Sequence, residues 1–259
     1  MLKLGGSAIT TKEKPFTPDT KAIKRLAEDI KHADVSPLIL VHGGGSFGHP
    51  VAKQYRISEG YKDSSQIIGF SKTHQVMTVL NNLVVDSLIN QDIPAIAVPP
   101  SSCIITKSGR IKSFEEGPLI KMLEMGFLPV LYGDAVLDSD INFTILSGDQ
   151  LVSSLAMSLN AERIIIGADV DGLYTADPKT DSSARHIPHL TLTELKRLQH
   201  KIGEAKVTDV TGGMPRKMRE LIPAVDKGIP VIVVNATRPN NIYKALKGQK
   251  VVGTTIERG

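Results

Sequence analysis

The run His42–His49, HGGGSFGH, sets a glycine turn, a hydroxyl and two imidazoles directly after the apolar stretch Leu38–Val41. Glycines at such a place let backbone N–H groups close around an anion. Four other segments join an apolar run to small, polar or basic residues: Lys3–Ser7 (KLGGS), Leu146–Gln150 (LSGDQ), Ala168–Pro178 (ADVDGLYTADP) and Thr211–Lys217 (TGGMPRK). One such loop is weak evidence, but five in one chain point to a site that holds several phosphates. Lysines accompany them. Lys3 interrupts the apolar MLKLGG, so its charge must be paired or face an anion. Lys12 follows the first turn within reach, and Lys217 lies in a helical stretch just after Gly212 and Gly213. Beside Arg216 and Arg219, Lys217 fits a solvated helix face equally well.

Two common nucleotide motifs are excluded. Gly43, Gly45 and Gly48 satisfy G-x-G-x-x-G, and Asp63 lies twenty positions beyond Gly43. A dinucleotide site needs that acid at the end of a second strand, whereas Val51–Lys62 has no strand-like apolar run, and Pro50 reads as a helix start. There is no G-x-x-x-x-G-K-[ST] loop, so ATP would be bound by another arrangement. The residue types also lack a Ser-His-Asp or Cys-His pairing that would argue for a covalent intermediate. Cys103, the single cysteine, reads as an inert buried thiol, and His74, among polar residues, as surface.

The elements that must position these loops are legible as an alternation. Apolar runs at Met1–Leu4, Pro37–Val41, Ile93–Val98, Phe127–Tyr132, Arg163–Ile166 and Ile229–Val234 read as buried strands. Between them, Thr20–Lys31, Ser64–Asn90, Glu115–Met125, Asp149–Leu159, Thr191–Leu198 and Arg216–Lys227 have helical spacing. This is the pattern of an α/β fold with a mostly parallel sheet covered by helices. Ile104–Ser113 and Ala135–Leu146 read as hairpins that extend a sheet edge.

At 259 residues, with 41% hydrophobic and 22% charged residues, the chain has an ordinary soluble composition and could form one large domain or two lobes sharing a sheet. The net charge of +4, without a dense basic run, suits small anions better than nucleic acid. No apolar stretch approaches the roughly 20 residues that span a bilayer. A strand at the very start leaves no room for a cleavable signal, so a cytoplasmic location is expected.

The five quoted motifs, in this order along nearly the whole chain, resemble those of the amino-acid kinase superfamily. The resemblance implies a three-layer αβα sandwich in which residues about 1–150 bind the phosphoryl acceptor and about 151–259 bind ATP. HGGGSFGHP with His49, and the ITTK continuation to Lys12, are similar to the isopentenyl phosphate kinase branch. Uridylate and acetylglutamate kinases usually lack that histidine, while fosfomycin-type kinases share it and remain the nearest competitor. A sensor that keeps the fold without turnover is a third reading. The implied reaction takes ATP, with Mg²⁺, and isopentenyl phosphate to ADP and isopentenyl diphosphate, in isoprenoid biosynthesis by the alternative mevalonate pathway. A homodimer is implied by the family alone.

By the same resemblance, Gly44 and Gly148 offer N–H groups to the acceptor phosphate and His49 donates to it. Gly5, Gly6, Ser7, Gly45 and Gly213 cradle ATP phosphates; Lys3, Lys12 and Lys217 neutralise the transferring group. Asp169, Tyr174 and Asp177 shape the adenosine pocket. Arg216 stands where the family usually has Gly. Asp149 reads as a helix N-cap, a lysine orienter or a metal contact, and no protein metal site is expected. Phe70 and Met77, within the apolar face Ile68–Val84, could line a pocket for a five-carbon tail, although core packing explains the same pattern.

Overall fold

The computed structural model describes residues 1–11, 14–176, 178, 180–204 and 214–259, with side chains throughout except at 199–204 and 214–216. In chain order the elements are β1 (Leu2–Leu4), α1 (Gly6–Ile9), α2 (Thr20–Ala33), β2 (Leu40–His42), α3 (Gly45–Gln54), α4 (Ser65–Ile89), β3 (Ala95–Ala97), β4 (Ile104–Lys107), β5 (Arg110–Phe114), α5 (Gly117–Glu124), β6 (Leu128–Tyr132), β7 (Asp134–Asp138), β8 (Asn142–Leu146), α6 (Gly148–Ser158), β9 (Ile164–Ala168), β10 (Leu173–Tyr174), β11 (His186–Ile187), β12 (His189–Thr191), α7 (Leu192–Glu204), α8 (Met214–Asp226), β13 (Val231–Asn235), α9 (Asn241–Leu246) and β14 (Gly253–Glu257).

The main sheet runs β12-β14-β13-β9-β1-β2-β6-β3. The six apolar runs supply its parallel part, and β14 turns antiparallel against β13. Buried on both faces, these strands have no polar side to show, which is why they read as continuous apolar runs. One face packs residues of α2, α4 and α9, including Leu26, Leu80 and Ile242. The other packs α6, α7 and α8, including Leu151, Leu195 and Leu221. The expected three layers are present. The chain order reverses at β1, which has β2 on one side and β9 on the other. Ligands of open α/β sheets bind outside the carboxyl ends of the strands at such a point.

Two expectations change. The hairpins do not extend the main sheet: β4 pairs parallel with β7, giving a separate four-stranded sheet in the order β5-β4-β7-β8. The Asp138 carboxylate, at the end of β7, accepts from Ser108 N and Gly109 N of the other hairpin at 3.1 and 2.8 Å, which ties the two turns together. Second, α3 starts at Gly45, not at Pro50, which lies inside it. Proline has no N–H to give the carbonyl of Ser46 one turn back. The N–H of Phe16, from a distant loop, takes that carbonyl instead, at 3.1 Å.

Candidate active site

The loops that follow β1, β2 and β8 meet at the switch point, each running into a helix: α1 at Gly6, α3 at Gly45 and α6 at Gly148. First-turn N–H groups have no intrahelical partner, so α3 and α6 each bring an anion-seeking N-terminus to this place. The glycines are there because backbones touch. A Cβ on Gly6 would collide with the N of Gly45, and one on Gly45, at φ +49°, with Thr10 Oγ1. Thr10 joins the two loops, its hydroxyl donating to Gly6 O at 2.9 Å and accepting from Ser46 N at 3.0 Å. Gly148 lies against the carbonyl of His42, where a Cβ would stand 3.2 Å away. The N–H of Gly5 donates to Gly167 O at 2.8 Å, so Gly5 fastens β1 to the end of β9.

Strand alternation aims Lys3 into this cluster. Leu2 and Leu4 point to the α2/α4 side, while Lys3, in register with Val41 and Ile166, points to the α6 side. Lys3 is 3% exposed and pairs with Asp149 at 2.6 Å. A buried ammonium needs such a partner, and a carboxylate in the first turn of α6 also suits that helix. The N-cap of α6 is Ser147, whose Oγ accepts from Gln150 N at 3.1 Å. Of the three readings of Asp149, the lysine orienter is the one with a contact.

His49, on α3, is exposed to solvent but flanked by charge. Desolvation first, then Lys217 and Lys3, push its pKa below the ordinary histidine value, against an opposing pull from Asp149. The imidazole is therefore neutral near pH 7, with one N–H to donate. Lys217, near the start of α8, is close enough to His49 for its charge to be felt there. One guanidinium nitrogen of Arg110 on β5 donates to both carboxylate oxygens of Glu220 on α8, at 3.0 and 2.8 Å, tying β5 to the helix that carries Lys217.

Met77 is buried, its Sδ 3.2 Å from where a Cβ of Gly44 would be. Phe70, two turns earlier on the same side of α4, packs apart from it, against Phe143 at 5.6 Å in a small cluster with Ile57 and Ala135. Asp169 follows β9, and Tyr174 on β10 rests against His186 at 5.3 Å. Lys12, Asp177 and Gly213 lie outside the described residues. His74 is half-buried, not surface: its Nδ1 meets Asp134 Oδ2 at 2.9 Å, and this hydrogen bond raises its pKa. Burial pushes the Cys103 thiol up to about 11, which keeps it unreactive. Among the described residues, no three His, Cys, Asp or Glu side chains gather as a metal cage, and no helix is long and apolar enough to cross a membrane.

Sequence reasoning missed Thr10, whose signal was its place in the ITTK continuation, and although it offered Asp149 as a lysine orienter it did not say that the lysine is Lys3. Nothing local connects those two positions.

A converging set of loop amides and lysines on a three-layer αβα frame defines a class of phosphate-handling enzyme, and residues 1–235 match the model of the amino acid kinase family. The chain belongs to that family. Within it the similarity is to isopentenyl phosphate kinases: the enzyme of that name from Methanothermobacter thermautotrophicus is 42% identical over 99% of this chain and 98% of its own. A crystal structure of isopentenyl phosphate kinase superposes with a TM-score of 0.86 at 39% identity, covering 98% of both chains. The product complex of the Thermoplasma acidophilum enzyme does so with 0.82 at 28%, over 99% and 98%.

Proposed function

We propose that this chain transfers the γ-phosphoryl group of ATP to isopentenyl phosphate, giving ADP and isopentenyl diphosphate. The observation that carries the reading is the convergence of Lys3, held by Asp149, with His49 and Lys217 where α3 and α6 begin. The second pKa of a phosphate monoester is about 6, so the attacking oxygen is already ionised at neutral pH and needs no strong base. The obstacle is repulsion between two anions, and catalysis consists of positioning and charge neutralisation.

In this reading residues about 1–150 hold the acceptor and about 151–259 hold ATP. Gly44, Gly148 and the N–H of His49 grip the acceptor phosphate. Gly6, Ser7, Gly45 and Gly213 face the ATP phosphates, with Gly5 as the spacer behind them. Lys3, Lys12 and Lys217 spread over the transferring group, and Asp169, Tyr174 and Asp177 border the nucleoside. Met77 and Phe70 bound the hydrocarbon tail. Mg²⁺ commonly binds through substrate phosphates and one or two carboxylates, so in this reading the ion arrives on ATP and neutralises its phosphates. Asp149, in the first turn of α6, is the carboxylate this site offers it. The homodimer, the cytoplasmic location and a role in the alternative mevalonate pathway rest on resemblance.

The test is initial-rate ADP release with isopentenyl phosphate, fosfomycin, UMP and N-acetylglutamate as acceptors. A kcat/KM for isopentenyl phosphate at least about a hundredfold above the others is expected, since a site built for one phosphate leaves polar groups unpaired with the wrong acceptor. Preference for fosfomycin, or no ADP release with any acceptor, contradicts it.

A further inference from the structure

His42 ends β2 immediately before the glycine turn, fully buried, and the mechanism above gives it no task. Its ring stacks on Tyr132 at 5.5 Å and 22°. Nδ1 lies 3.2 Å from Gly43 O, and Nε2 lies 3.1 Å from the side-chain amide of Asn81 on α4. As placed, that amide turns Oδ1 to the ring and leaves Nδ2 buried without a partner. A neutral imidazole has one N–H and cannot donate to two oxygens, so this arrangement demands an imidazolium. Burial is the main reason the pKa of His42 falls to about 4. Lys3 on β1 pushes the same way, and Asp134 on β7 opposes it. Burial therefore disfavours a cation near neutrality. The two ends of an amide are interchangeable in shape. With Asn81 turned over, Nδ2–H donates to Nε2, Nδ1–H donates to Gly43 O, and the remaining orphan is a carbonyl oxygen, the more tolerable kind.

The consequence lies in the next peptide unit. Gly43 C=O and Gly44 N–H belong to one planar trans peptide and point in opposite directions. Between two glycines that unit can rotate with little steric resistance. A bond that draws the carbonyl to the His42 ring turns the Gly44 N–H away from it. We infer that His42, fixed in one tautomer by Asn81, is a positioning residue that locks the Gly43–Gly44 peptide so that the Gly44 N–H faces the phosphoryl acceptor. The carbonyl of His42 itself accepts from Gly133 N at 3.0 Å and abuts Gly148, so the residue holds the other acceptor-side loops in place by its backbone. The inference rests on the acceptor reading of Gly44 given above.

Two variants and one spectrum test it. His42→Phe keeps the stacking and removes the donor; His42→Asn places an amide N–H close to where Nδ1–H was. His42→Phe is expected to lower kcat/KM for isopentenyl phosphate on the order of thirtyfold or more, with the KM for ATP within about twofold, as for loss of one preorganised donor. His42→Asn is expected to recover roughly tenfold of that. Equal losses in the two variants, or equal effects on both substrates, overturn the lock. Nitrogen-detected NMR of histidine-labelled wild-type protein is independent of turnover and of how the variants fold. A neutral Nδ1–H tautomer that does not titrate between about pH 5.5 and 8 is expected, and an Nε2–H tautomer or titration in that window overturns the inference. Wild-type protein inactive with isopentenyl phosphate but carrying the Nδ1–H tautomer contradicts the acceptor reading while leaving the hydrogen bond standing.

Discussion

Around Gly6, Gly45 and Gly148 one backbone rests directly on another, whereas the ribbon of β10 and β11 is tied to the sheet mainly by side-chain hydrogen bonds, with one close backbone approach at Gly172. Thr254 Oγ1 accepts from Leu173 N at 2.7 Å and donates to Ile187 O at 2.5 Å, and Asp171 is held by Asn235 at 3.1 Å and Arg238 at 2.5 Å. The first construction fixes N–H groups to within the tolerance of close packing. The second holds a wall by a few side-chain pins, of which the Thr254 bonds are buried and the Arg238–Asp171 pair is open to solvent at its arginine end. The difference matches the two tasks proposed for them. A transferring phosphoryl group requires positioned donors, since about 1 Å of misplacement can cost a hundredfold in rate, while a nucleoside needs a pocket of the right shape.

The largest expected effect attacks the rigid side. Lys3→Met removes the buried cation and leaves Asp149 unpaired, so we predict a kcat lower by on the order of a thousandfold and a stability loss of about 3 kcal/mol by urea unfolding. A folded variant with wild-type kcat would reduce Lys3 to a structural partner of Asp149. Next come two glycines at positive φ, one per region. Gly45→Ala strains φ +49° and drives a methyl into Thr10; Gly172→Ala strains φ +123° and meets Thr254 N at 2.9 Å. We predict that Gly45→Ala lowers kcat roughly a hundredfold, while Gly172→Ala raises the KM for ATP about tenfold and largely spares kcat. The same parameter moving in both would erase the contrast.

A smaller effect is set by pH. The hydrogen bond to Asp134 raises the His74 pKa above its ordinary 6.5, so the pair stabilises the fold fully below 6.5 and progressively less as pH rises through the raised value. The melting temperature of the wild type should exceed that of His74→Gln at about pH 6, and the gap should narrow as the medium becomes alkaline. A gap that widens with pH contradicts the assignment.

Much of the frame was legible because buried parallel strands are unbroken apolar runs and their covering helices carry a 3.6-residue stripe. β12 (HLT) and β14 (GTTIE) escaped notice: each is short and mixes polar with apolar residues. The hairpins were visible from their turns, but the β4–β7 pairing that makes them a sheet depends on Asp138 reaching the other hairpin's turn. Pro50 misled because the partner that satisfies Ser46 comes from Phe16, far away in sequence. In the site, the glycines and lysines stood out by type, and Asp149 was singled out with lysine orienter among its readings. Which lysine it holds, and what Thr10 and His42 do, were not legible, because these roles are defined by whom the residues touch: Lys3, Ser46 and Asn81.

The central claim is that the loop N–H groups and His49 hold the acceptor phosphate while ATP is held elsewhere, and steady-state kinetics of His49→Ala with both substrates varied test it most directly. Loss of one hydrogen bond to a charged group, about 1.5–3 kcal/mol, should lower kcat/KM for isopentenyl phosphate roughly tenfold to over a hundredfold. The KM for ATP should barely change, and His49→Gln, which keeps an N–H donor, should recover part of the loss. Full acceptor kcat/KM in His49→Ala, or a defect confined to ATP, would contradict the account.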